Sequence, residues 1–181
     1  MAKSRLPAPL FHYIDGGADD ESTLRRNTSS FDEYNLIPNG LADVANIDLS
    51  TTILGQKVLS PLFLAPTGMN RLFHHDGERA SSRAAEKYGC YYSLSTLSSV
   101  SIEEIGSLTE SPKMFQIYIH KDRGLTYELI ERCKKAKFTS LCLTIDTIVA
   151  GNRERDLRTG MTMPPKFTPS SLLAYYPSET P

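Results

Sequence analysis

Four short apolar runs recur along this chain at a spacing that few architectures accept. Leu62-Phe63-Leu64-Ala65, Tyr91-Tyr92-Ser93-Leu94, Met114 to Tyr118 and Leu141 to Ile145 each have strand length, and their last residues fall roughly 24–29 positions apart. The stretches between them have helical periodicity. Ala80, Ala84, Ala85 and Tyr88 form an apolar face closed by Gly89, and Leu125, Leu129, Ile130 and Cys133 repeat that spacing. Ser101 to Glu104 has the capping-box form of a short helix start. The predicted order is β-α-β-α-β-α-β, which demands a parallel sheet.

Such a sheet is either open and doubly wound or closed as a (β/α)8 barrel. An open nucleotide-binding sheet carries a glycine-rich turn after its first strand, whereas Leu64-Ala65-Pro66-Thr67-Gly68 has proline where GxGxxG needs glycine. The α/β class is therefore read as a (β/α)8 TIM barrel. A barrel takes about 250 residues, and beyond residue 60 only about 120 remain here, enough for about the first four βα units. The expected divisions are 1–60, an N-terminal segment of short helices with a hairpin near Thr51 to Val58; 61–163, the first half of the barrel; and 164–181, a proline-rich loop. The chain is expected to be one piece of a longer or interrupted polypeptide.

Net charge is −1 and no Lys/Arg cluster is interleaved with aromatics, which argues against a nucleic-acid partner. The three cysteines, Cys90, Cys133 and Cys142, are odd in number, sit in apolar elements and form no CxxC pair, so they read as reduced core thiols of a cytoplasmic protein. No run approaches a membrane span, and no apolar leader opens the chain. No HxxxH or CxxC spacing points to a metal, and surface or capping roles are expected for His12, His74, His75 and His120.

The strand ends carry the candidate chemistry. The first supplies Ala65-Pro66-Thr67-Gly68, the second Ser95-Thr96, the third Gln116 and Tyr118, the fourth Thr144 and Asp146. Hydroxyls, a primary amide and backbone amides suit an uncharged heteroaromatic ring with carbonyl and N–H edges, such as an isoalloxazine. The competing reading for Ser95, Gln116 and Thr144 is that they satisfy backbone groups at strand ends. For Arg153, within Arg153-Glu154-Arg155-Asp156, it is a solvated salt-bridged loop. Asp146 ends an apolar strand, where a carboxylate is expected to need a partner.

Tyr13-Ile14-Asp15-Gly16-Gly17-Ala18, Ala65-Pro66-Thr67-Gly68, Leu94-Ser95, Gln116-Ile117-Tyr118, Leu143-Thr144-Ile145-Asp146 and Asn152-Arg153-Glu154-Arg155-Asp156 together resemble the FMN-dependent α-hydroxy-acid oxidases and dehydrogenases. The resemblance runs from about Phe11 to Met163. It implies FMN as cofactor, with Pro66, Thr67 and Gly68 against the flavin ring and Ser95, Gln116, Tyr118 and Thr144 toward it. It implies Tyr13, Tyr118 and Arg153 as substrate contacts, Tyr118 and Asp146 being the catalytic pair carried by this chain. Asp146 matches an aspartate that pairs with a catalytic histidine and stabilises its protonated form.

The family's base histidine, its carboxylate-clamping arginine, its lysine near the flavin and its phosphate loop belong to the second half of the barrel and have no counterpart here. The chain alone is thus expected to be inactive. The implied reaction is oxidation of a small L-2-hydroxy acid to the 2-oxo acid, with quinone, cytochrome or oxygen as acceptor. Gly68 and the arginine loop lean toward the dehydrogenases. Phe167, Leu172, Leu173, Tyr175 and Tyr176 suggest peripheral contact with the inner face of the cytoplasmic membrane, against which stand the brevity of the stretch and its lack of basic residues after Lys166. A homotetramer is expected by analogy. The alternatives are a non-catalytic flavin- or partner-binding half-barrel and another FMN barrel enzyme such as the type 2 isopentenyl diphosphate isomerase.

Overall fold

The computed structural model describes residues 2–161. In chain order the elements are α1 (Ala2–Arg5), α2 (Ala8–Asp15), α3 (Ser22–Ser29), a 3-10 turn (Ser30–Glu33), β1 (Thr51–Ile53), β2 (Gln56–Val58), β3 (Phe63–Leu64), a second 3-10 turn (Asn70–Leu72), α4 (Glu78–Tyr88), β4 (Tyr91–Ser95), α5 (Ile102–Leu108), β5 (Lys113–Ile117), α6 (Arg123–Lys135), β6 (Ser140–Leu143) and α7 (Glu154–Thr159). They fall into two compact units, one of the described residues through Ala42 together with those from Val149 onward, the other Asp43–Ile148.

In the Asp43–Ile148 unit, β3, β4, β5 and β6 form one parallel sheet in that order. Register aligns Ser95 with Gln116 and Gln116 with Cys142 on one face, and Leu94 with Phe115 and Phe115 with Leu141 on the other. The second face is the packed one. Tyr92, Leu94, Phe115 and Ile117 meet Ala85, Ile102, Ile105 and Cys133 from α4, α5 and α6 in a single cluster. Burying a side chain such as Phe115 there contributes about 2–3 kcal/mol. Burial also pushes the Cys133 thiol up to about 12, so it packs as a neutral hydrophobe. The three cysteines are unpaired.

Local signals explain the element ends. Gly89 adopts φ +64° and closes α4 in a Schellman arrangement, with the Cys90 N–H reaching the Ala85 carbonyl (2.8 Å) and the Gly89 N–H the Glu86 carbonyl (3.1 Å). Ser101 Oγ accepts the Glu104 N–H (3.2 Å) at the start of α5, and the Glu104 carboxylate turns to Arg79 of α4, joining the two helices. Asp122 caps α6 through the Gly124 N–H (2.8 Å). The β1–β2 hairpin turns through Leu54 and Gly55, both with positive φ as a type I′ turn requires.

The helix faces differ from the sequence expectation. On α4, Ala85 is buried but Tyr88 is 64% exposed, and the packed stripe is Glu78, Ser82 and Ala85. Two polar residues occupy it because they have partners there: Glu78 takes loop amides and Ser82 Oγ donates to the Arg79 carbonyl (3.1 Å). On α6, Thr126 rather than Leu125 is buried, its hydroxyl accepting the His120 N–H (3.2 Å). The strand β6 ends at Leu143, before the predicted Ile145.

The other unit gathers α1, α2, α3 and α7. Its joints are charged. Arg155 donates to Asp15 (2.8 Å) and pairs with Glu21, whose other oxygen accepts the Gly17 N–H (3.0 Å). Asn152 donates to Asp19 (3.0 Å), and the Asp19 N–H returns to the Asn152 carbonyl (2.8 Å). The residues Phe167, Leu172, Leu173, Tyr175 and Tyr176 lie outside the described residues. No described helix is long and apolar enough to cross a membrane.

Candidate functional site

Parallel strands put all their C-terminal ends on one side, so the polar tips of β3 to β6 converge there. Gln116, 4% exposed, is the hub. Its Oε1 accepts from Ser95 Oγ (3.2 Å) and from the Thr96 N–H (3.1 Å), and its Nε2 donates to Thr144 Oγ1 (2.7 Å). Ser95 Oγ also accepts the Leu97 N–H (3.1 Å), and Thr96 Oγ1 donates to the Gln116 carbonyl (2.5 Å). Three strand ends are thereby joined in one line of neutral hydrogen bonds.

The loop after β3 is pinned beside this line. The Thr67 N–H turns back to the Ala65 carbonyl (2.9 Å), and the Met69 N–H reaches the Leu97 carbonyl (2.8 Å). A Cβ on Gly68 would stand 3.0 Å from Leu97 Cβ and 3.2 Å from its carbonyl oxygen, so glycine permits the close approach of the two loops. Pro66 is half-buried and Thr67 exposed.

This donor set fits a flavin ring edge. A primary amide has two N–H groups, and Gln116 commits one to Thr144; the Thr144 hydroxyl, accepting there, keeps its own hydrogen to give. Both are neutral, as an uncharged ring requires. Tyr118 follows Gln116 by two residues, just past the end of β5, and is half-buried. Asp146 lies beyond β6 and is exposed, with no partner for its carboxylate among the described residues.

Tyr13 and Arg153, 140 positions apart, are brought together in the other unit. The Arg153 guanidinium stands 5.1 Å from the Tyr13 ring centroid, donates to the Tyr13 carbonyl and pairs with the buried carboxylate of Asp156. Arg153 is therefore fixed by an aromatic ring and a carboxylate rather than spread in a solvated loop. Arg155 carries as much of that unit's structure, and its role escaped the sequence reading. The Gly17 N–H first, and Arg155 after it, hold the Glu21 carboxyl below its ordinary range. The one signal was the complementary charge of Asp15, Glu21 and Arg155. Thr96, beside Ser95 at the end of β4, makes two of the bonds to Gln116.

The histidines divide. His74 Nδ1 accepts the Asp76 N–H (3.2 Å), a capping role, and His75 is exposed. His12 Nδ1 and His120 Nε2 are instead buried without a hydrogen-bond partner among the described residues, against the surface role expected for them. One group among the described residues has metal-ligand proximity, the consecutive and largely exposed His74, His75 and Asp76, with ligand atoms within 4.8 Å.

Known proteins match this arrangement. The chain is 43% identical over 163 residues to an L-lactate dehydrogenase of Vibrio parahaemolyticus serotype O3:K6, covering 90% of the chain and 43% of that protein. Glycolate oxidase of Spinacia oleracea is 39% identical over 168 residues, covering 93% and 46%. Among solved structures, a monotopic membrane protein, (S)-mandelate dehydrogenase, superposes with TM-score 0.87 at 32% identity, over 95% of this chain and 46% of that one. The chain thus spans just under half the length of these relatives, and its four-stranded parallel sheet is part of a (β/α)8 barrel. The family model for FMN-dependent dehydrogenase matches residues 2–180, and on that match the chain belongs to the FMN-dependent dehydrogenase family.

Proposed function

We propose that this chain supplies the flavin-edge and part of the substrate-facing wall of an enzyme that oxidises a small L-2-hydroxy acid to its 2-oxo acid. The observation that carries this is the Ser95–Gln116–Thr144 line, three neutral donor–acceptor groups in step at adjacent strand ends. FMN, when bound, accepts the two electrons that leave the substrate with its Cα hydrogen. Gln116 and Thr144 would hold its ring edge by donating to it, with Gln116 locked in one orientation by Ser95 and Thr96, and Pro66, Thr67 and Gly68 would lie against the ring.

By the family resemblance, Tyr118 of the sheet unit is assigned to the hydroxyl side of the substrate, and in the other unit Tyr13 is assigned to its carboxylate and Arg153 to the substrate side. Arg153 is pre-organised for that duty by Asp156, which holds the guanidinium without conformational search. Asp146 orients and stabilises a protonated histidine contributed by residues other than these 181. The exposure of Asp146 is consistent with a partner outside the described residues. A dehydrogenase passing electrons to quinone or cytochrome is favoured over an oxidase by the resemblance of Gly68 and of the arginine loop around Arg153 to the dehydrogenases.

The test is anaerobic mixing of the FMN-loaded complete barrel that contains these residues with (S)-lactate, (S)-mandelate and glycolate. Bleaching of the flavin band by at least one of them is expected, and bleaching by none overturns the reading. The 181-residue chain by itself is expected to turn over none of the three.

A further inference from the structure

Glu78 opens α4, yet it is fully buried, 0% exposed. A carboxylate out of water is costly unless its bonds secure something. Its Oε1 accepts the Asn70 N–H (3.2 Å) and the Ser99 N–H (2.8 Å), while Oε2 is buried with no hydrogen-bond partner among the described residues. An ordinary acid at a helix start bonds the first turn of its own helix. Glu78 bonds two loops instead, one 8 and the other 21 residues away.

Those loops border the flavin-edge line. Asn70 follows Pro66, Thr67 and Gly68 after β3, and Ser99 follows Ser95 and Thr96 after β4. Other contacts converge on the same seam: the Met69 N–H on the Leu97 carbonyl (2.8 Å), the Arg71 N–H on Ser99 Oγ (3.3 Å) and Gly68 against Leu97. Met69 is held at φ +55°, a left-handed conformation that a non-glycine residue keeps only when its surroundings impose it.

We propose that Glu78 is a positioning residue, its single oxygen Oε1 clamping the loop after β3 to the loop after β4 and so setting the seat of the flavin ring. The proposal rests on the functional reading above. In Glu78→Ala, the Asn70 and Ser99 amides lose protection from hydrogen exchange, FMN affinity falls about tenfold or more and the visible circular dichroism of bound FMN changes. Glu78→Gln keeps one acceptor oxygen and restores all three readouts to near wild type. If Glu78→Ala does not fold, Glu78→Asp, one methylene shorter, carries the same test.

Tyr91→Phe is the control for destabilisation alone. It removes bonds to Thr139 (2.6 Å) and Ser140 (2.9 Å) at the opposite end of the strands, and is expected to lower Tm without altering the flavin spectrum. Wild-type exchange and flavin spectra in Glu78→Ala would overturn the clamp. A wild-type protein that binds no FMN would instead overturn the functional reading, and the flavin part of the proposal with it; the amide exchange still decides whether the clamp exists.

Discussion

The two compact units hold their candidate residues by opposite means. Around Gln116 the bonds are neutral, buried and confined to strand ends that the backbone ladder already fixes. Around Arg153 and Arg155 they are ionic and partly exposed, tying residues 134 and 140 positions apart in sequence. Neutral groups suit an uncharged ring, and they are indifferent to salt. Charged groups suit a carboxylate, at the cost of sensitivity to pH and ionic strength. The difference predicts that the two units answer different perturbations.

The largest effect is expected from the packing beneath the strand ends. Phe115→Ala removes a side chain 2% exposed at the centre of the sheet–helix core and should cost about 3–5 kcal/mol, read as a Tm drop of roughly 10 °C or more. Next comes Gln116→Leu, similar in size but without the amide. It strands Ser95 Oγ, the Thr96 N–H and Thr144 Oγ1, at about 2–4 kcal/mol, and the loss should be the same at low and high salt. A strong salt dependence would break the contrast between the units.

Much of this was legible in the sequence, for identifiable reasons. The strands were visible because β4 and β5 carry Tyr92, Leu94, Phe115 and Ile117 on the face packed against the helices, and α4 and α5 because Gly89 and Ser101 act locally. The helix faces were misread where polar side chains pack inward: Glu78 and Ser82 violate the apolar stripe because their partners come from distant loops or from the helix's own carbonyls. Ser95, Gln116 and Thr144 could be grouped in advance because strand tips fall in register, and the structure brings them into one hydrogen-bonded line. The joints made by Arg155, Glu21 and Asp156 were not found, because no periodicity links residues so far apart in the chain.

Asp156→Asn sharpens the comparison from the ionic side. Asp156 is 7% exposed and pairs with Arg153, so neutralising it should cost about 1–2 kcal/mol and free the guanidinium from its seat on Tyr13. High salt should lessen the difference from wild type, in contrast to Gln116→Leu.

The smallest effect tests whether charge or location decides the response. Glu103 belongs to the sheet unit, yet it forms an exposed bidentate pair with Arg132 (2.7 and 2.9 Å), and the guanidinium lowers its carboxyl to about 2. A depressed carboxyl stabilises the fold fully above its unfolded value of 4.5, and that contribution is lost as pH falls from 4.5 through about 2, where the folded form too takes up its proton. Because the carboxylate is 55% exposed, solvent screening limits the contribution to less than about 1 kcal/mol. Glu103→Gln should therefore lower Tm by about 1–3 °C on the neutral plateau, where the pair contributes fully, and the difference from wild type should vanish as pH falls toward 2, which flattens the acid limb. If it does so in a salt-dependent manner, the contrast belongs to charged against neutral bonding and not to one unit against the other. If the flattening persists undiminished at high salt, hydrogen-bond geometry outweighs charge even at an exposed pair.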